Sequence, residues 1–157
     1  MKKPKTIPPT YLYAGVFLII VLFFVFPHFN LIPFPYNLLG GLLILIGVWL
    51  NIWPWQLFNR AGTTEKYVEP TNAFVKDGPF RFSRHPMYLG MFLLLIGLAV
   101  CFKNILGFIS PLAFFAIMHF VFINYEEKEM EDLFGQSYLD YKKQSKKWFG
   151  FKIFRKR

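Results

Sequence analysis

Four long stretches without a single Asp, Glu, Lys or Arg, at residues 11–29, 36–58, 87–102 and 105–125, leave this chain few ways to fold. Crossing ~30 Å of hydrocarbon takes about 20 helical residues, and each stretch reaches or approaches that length. Of the 157 residues, 55% are hydrophobic and 21% aromatic, more apolar surface than a soluble domain of this size can hide. The pattern predicts an all-α, polytopic membrane protein forming one domain over 1–157, with about four transmembrane helices and a cytosolic C-terminal helical extension. Lys2, Lys3 and Lys5 resemble a basic leader, yet the first apolar run ends in Pro27-His-Phe-Asn30 without a small-residue cleavage site. It reads as a retained helix.

Orientation follows from where the positive charge lies. The links fall at 27–35, 59–85 and 103–104, and 17 of the 18 Lys and Arg residues lie on one side of the resulting topology. That side is expected to be cytosolic, placing both termini and the 59–85 link there. The compact size fits a prokaryotic inner membrane. The last sixteen residues, 142–157, carry eight positive and no negative side chains among Trp148, Phe149, Phe151 and Phe154. Such a tail should lie on anionic lipid headgroups. Because spans precede it, a nucleic-acid partner is not expected. Oligomeric state is left open.

Gly40 with Gly47, and Gly90 with Gly97, each recur seven residues apart, a spacing that lets helices approach closely in lipid. Past Tyr125 the fourth helix is expected to run on to Phe134 and stop at Gly135. Ser137 and Asp140 then resemble a capping box that opens a short helix. Asn51 suits an interhelical hydrogen bond, and His28 an interfacial position. His119, two turns before Glu126, either packs or points at a site. Cys101, the single cysteine, reads as a small apolar residue; thiolate metal chemistry is excluded and no metal site is expected.

The chemistry concentrates in Gly78-Pro-Phe-Arg-Phe-Ser-Arg-His-Pro-Met-Tyr-Leu-Gly90, which puts charged and aromatic groups at the mouth of helix three. Pro86 suits a first helical turn, and a helix N-terminus attracts carboxylates and phosphates. Glu126 and Glu127 begin the cytosolic part of helix four, where adjacent carboxylates suit an ammonium group or a metal. Their plain alternative is solvated helix-surface charge, which is the reading for Glu129, Glu131 and Asp132. A positive helix end facing a carboxylate would suit a zwitterionic amino acid. Nucleotides and lipid headgroups satisfy it as well.

Taken together, Gly78-Pro-Phe, Arg84-His-Pro-Met-Tyr-Leu-Gly90, Glu126-Glu127 and Phe134-Gly135-Gln-Ser-Tyr138-Leu-Asp-Tyr141 resemble the isoprenylcysteine carboxyl methyltransferase and phospholipid methyltransferase superfamily. The resemblance covers about residues 60–150. It implies S-adenosyl-L-methionine as cofactor, a lipid-like or prenylated acceptor drawn from the bilayer, and a pocket at the start of helix three. Carried over by position, the cofactor contacts would be Glu65, Asn72, Ala73, Phe74, Val75, Phe80, His85, Pro86, Met87, Tyr88, Glu126 and Glu127. Of these, Glu126 would take the ammonium. Arg84, His85, Tyr88 and Glu126 are the residues expected to serve catalysis, with His85 or Tyr88 orienting the cofactor and Arg84 steadying the site or meeting a substrate anion.

The chain departs from that pattern at two places. Members acting on prenylcysteine carboxylates tend to carry an arginine one turn before the first Glu, where this chain has Phe122. Ser145-Lys-Lys147 replaces the usual Val-Pro-Arg, and a lysine lacks the bidentate fork. Both leave the acceptor open. Two further readings stand beside the methyltransferase: an NADPH-dependent reductase of sterol-reductase type, and a non-enzymatic membrane scaffold.

Overall fold

The computed structural model describes residues 4, 6–29, 31–60 and 75–150. Helix α1 spans Pro8–Val25, starting with two prolines whose fixed φ and missing N–H groups suit a first turn. It ends where Phe26 N–H bonds back to the Leu22 carbonyl, and Pro27–Phe29 form a separate 3₁₀ turn rather than the last turn of the span. A 3₁₀ turn at Tyr36–Leu38 leads into α2, Leu39–Arg60. Helix α3, Pro86–Cys101, has 16 residues, about 24 Å of helix and short of a full span.

The fourth segment is longer than expected. A 3₁₀ turn at Ile105–Phe108, helix α4 at Ile109–Ile117, a π-helical stretch at Met118–Ile123 and helix α5 at Asn124–Gln144 run on from one another over 40 residues. Gly135, at φ 52 and ψ −127, leaves helical geometry and divides α5 into two helices at a kink, where the sequence placed a stop. A short helix follows the kink, as expected; in it Asp140 Oδ1 accepts from Gln136 Nε2 and Lys143 Nζ, each at 2.9 Å.

Close approach of α2 and α3 is set by the glycines the sequence singled out. A Cβ at Gly47 would stand 2.7 Å from the Gly90 carbonyl oxygen, and one at Gly97 would stand 2.6 Å from that of Gly40. Asn51 sits against Gly90 in this contact, but its Nδ2 donates at 2.8 Å to Gly47 of its own helix, so the expected interhelical bond is an intrahelical one. Across the opposite side of α3, Tyr88, Met91, Leu95 and Ala99 pack with Ile19 of α1 and with Phe114, Met118, Phe122 and Ile123. Asn104, fully buried after α3, donates from Nδ2 to the Leu22 and Phe26 carbonyls at the open end of α1.

The outer surface explains the apolar composition. Phe17, Phe24, Leu45, Trp49 and Leu112 all point outward, a surface that hydrocarbon satisfies and water does not. Among the described residues, three helices are long and apolar enough to cross a membrane, with α3 a shorter fourth. The fold is an all-α, multi-pass membrane protein.

Candidate active site at the mouth of the third helix

His85 is the N-cap of α3, at φ −127 and ψ 62; its carbonyl accepts from the Leu89 N–H at 3.1 Å, while its own N–H lies outside the helix. Its N–H donates instead to the Ser83 hydroxyl at 3.1 Å. The imidazole then reaches the two glutamates at the start of α5, with Nδ1 3.3 Å from Glu126 Oε2 and Nε2 3.7 Å from Glu127 Oε1. The second distance is too long for a direct hydrogen bond. His85 Nε2 is accordingly buried with no hydrogen-bond partner. One turn along α3, the Tyr88 hydroxyl donates a short hydrogen bond to Glu126 Oε1 and its ring stacks parallel to that of His85.

The two carboxylates are not equivalent. The Glu127 side chain is 4% exposed and is held by Arg84, by Lys142 Nζ at 3.2 Å and by Lys147 Nζ at 3.7 Å. Glu126 is 27% exposed and has His85 and Tyr88 as neighbours. Burial alone would push the Glu127 carboxyl up, but the nearby His85 imidazole and the hydrogen bonds from Arg84, reinforced by the charges of Arg84 and Lys147, bring it down to about 2. Burial likewise opposes the His85 imidazolium, yet contact with Glu126 and Glu127 outweighs it and raises the pKa above the ordinary 6.5. The mouth of α3 thus holds a cation between two anions, with one anion's face still open.

Arg84 spends its donors inside the protein: Nε and Nη2 on Glu127, Nη1 on the Lys142 and Ser145 carbonyls. Its guanidinium therefore acts as a tie between α5 and the start of α3. Phe80 is buried beside Phe58, and its carbonyl accepts from the Tyr141 hydroxyl at 2.6 Å. Burial pushes the Tyr141 phenol up to about 12, which keeps it a donor. Pro86 and Met87 open α3, the first buried and the second half-buried, and Val75 is half-buried. Glu65, Asn72, Ala73 and Phe74 lie outside the described residues.

Three participants were given no role by the sequence. Ser83 and Tyr141 donate to the distant Lys147 and Phe80 carbonyls, and the Lys142 carbonyl accepts from Arg84, links that spacing does not reveal. His119 resolves as a packing residue: its Nδ1 accepts from Trp148 Nε1 at 3.0 Å and its ring lies parallel to Phe115. The π-helical stretch adds residues per turn between His119 and Glu126, which removes the shared face that simple helical spacing implied. Phe122 is buried against the Tyr11 ring.

Residues 36–137, which include α2, α3 and the paired glutamates, match the phospholipid methyltransferase family. The chain belongs to this family. Within the matched region lie both halves of the site, the start of α3 and the start of α5. The Protein-S-isoprenylcysteine O-methyltransferase of Saccharomyces cerevisiae is 30% identical over 133 residues, covering 76% of this chain and 53% of that protein. The chain thus spans about half the length of the curated relative it matches. No solved structure matches it significantly.

Proposed function

We propose that this chain is an S-adenosylmethionine-dependent methyltransferase that modifies a lipid-like or prenylated acceptor at the cytosolic face of the membrane. The observation that carries the reading is the arrangement of Glu126, held by His85 and Tyr88 at the mouth of α3, in a chain of this family. The yeast relative is named an isoprenylcysteine O-methyltransferase, which favours a prenylated acceptor. The excess of Lys and Arg on one side favours a cytosolic site.

The residues fit a cofactor with an ammonium and a carboxylate. Glu126 keeps an open carboxylate face for the cation, and the buried His85 Nε2 has no hydrogen-bond partner. The start of α3 presents the positive end of a helix to an anion. When bound, S-adenosylmethionine supplies a methyl group on a sulfonium, already activated toward a nucleophile. The protein's task is then placement. Tyr88 and His85 fix the Glu126 carboxylate, Arg84 and the lysines fix Glu127 behind it, and Phe80, Pro86 and Tyr88 exclude water. Holding two reactants in attack geometry can supply about 7–11 kcal/mol of the barrier, and a carboxylate or thiolate acceptor needs no general base. Nothing in the family match favours the reductase or scaffold readings.

The test is S-adenosylmethionine binding by calorimetry on detergent-purified protein beside Glu126→Gln. Binding by the parent and loss in a folded variant is the expected outcome. No binding by a well-folded parent, or equal affinity in the variant, overturns the assignment.

A further inference from the structure

Ser145 to Gly150, the part of the basic tail just after α5, fold back across the mouth of α3. The Lys146 carbonyl accepts the Arg84 N–H at 2.9 Å, the Lys147 carbonyl accepts the Ser83 hydroxyl at 3.2 Å, and the Gly150 N–H reaches the Phe82 carbonyl at 3.2 Å. Residues 151–157, the rest of that tail, lie outside the described residues.

A short non-helical segment with Lys146 and Lys147 in it has little reason to stay put, since chain ends without buried contacts fray. Trp148 gives this one a seat. Its indole stacks on Phe115 with centroids 4.5 Å apart, meets the Phe92 ring edge-on at 6.1 Å, and donates to His119 Nδ1. Phe92 is one helical turn from Tyr88 on α3, so the seat adjoins the carboxylate site.

From Trp148 a chain of bonds leads to the imidazole. The adjacent Lys147 carbonyl holds the Ser83 hydroxyl, the same hydroxyl accepts the His85 N–H, and His85 faces Glu126. Ser83 is itself buried. We propose that Trp148 is a positioning residue for the cofactor site, acting through Lys147 and Ser83 on His85. The proposal rests on the cofactor reading given above.

Two readouts test it on the full chain in detergent: amide hydrogen exchange at residues 82–85, and S-adenosylmethionine affinity by calorimetry. Trp148→Ala is expected to speed exchange at those amides and weaken binding about tenfold. Trp148→Phe, which keeps the ring stack, should recover most of both. Ser83→Ala cuts the link without touching the aromatic seat, so it serves should Trp148→Ala fail to fold, and it too should weaken binding. Faster exchange with unchanged affinity, unchanged exchange, or failure of Trp148→Phe to recover the affinity each overturns the proposal. Binding by the parent with unaltered affinity in Trp148→Ala sinks this inference alone. No binding by the parent sinks the cofactor reading and this one with it.

Discussion

Arg84 grips Glu127 through Nε at 2.9 Å and Nη2 at 2.7 Å, both on one carboxylate oxygen, and so gives two neighbouring glutamates different roles. Glu127 is a buried tie between α5 and the start of α3, whereas Glu126 keeps an exposed face. Breaking a buried pair by removing one partner costs about 3–5 kcal/mol, because a charge is left behind without its counterion. Glu127→Ala should therefore lower the melting temperature in detergent sharply, and Glu126→Gln should leave it nearly unchanged. Equal losses in the two variants would show that the roles are not divided this way.

Acid should release the same tie. The folded pKa of Glu127, about 2, lies below the ordinary 4.5, so its contribution to stability is fully present above 4.5. It is lost as pH falls from there through about 2. Thermal melts of the parent across that window should show a decline that Glu127→Gln flattens. A parallel decline in both proteins would assign the acid sensitivity elsewhere.

His85 titrates in the opposite sense. Its folded pKa is raised above 6.5 because Glu126 and Glu127 outweigh burial, so the stability its charge lends is complete below 6.5 and fades as pH climbs through the raised value. The chain has three histidines, so the carbon-labelled His85 imidazole can be assigned by single substitutions. The His85 midpoint should exceed 6.5 and fall in Glu126→Gln. A midpoint that does not move with Glu126 would mean the imidazole is not governed by that carboxylate.

The site was partly legible before any coordinates. The apolar stretches mark the helices because hydrocarbon demands length and the absence of charge, properties written locally in the chain. Arg84, His85, Tyr88 and the glutamate pair stood out as costly groups at a membrane edge, and they do come together. Which glutamate is buried was not legible, since Glu126 and Glu127 look alike until Lys142 and Lys147 approach one of them. The same holds for the seat of Trp148, which nothing in its run of lysines announces, and for the carbonyls of 146 and 147 that accept from Arg84 and Ser83. Backbone hydrogen bonds between segments 60 residues apart carry no residue-type signature. The π-helical stretch at Met118–Ile123 is equally silent, and it alone undoes the spacing argument that aimed His119 at the site.

Gly40 and Gly41 offer a direct comparison of packing against helix propensity. A Cβ on Gly40 collides with the Gly97 carbonyl and with Cys101, backbone included, where nothing flexible can yield. One on Gly41 meets nothing within 4 Å. Overpacking of a rigid contact costs about 1–3 kcal/mol, while Gly to Ala in an open helical position gains about 0.5–1 kcal/mol. Gly40→Ala should thus lower the melting temperature and Gly41→Ala should hold or raise it, although the two changes are chemically identical and adjacent. Because α3 begins at the carboxylate site and is positioned by this contact with α2, Gly40→Ala should also weaken S-adenosylmethionine binding. Equal melting of the two variants would mean that α2 and α3 separate enough to admit a methyl group, and that the glycine seam does not set the position of α3.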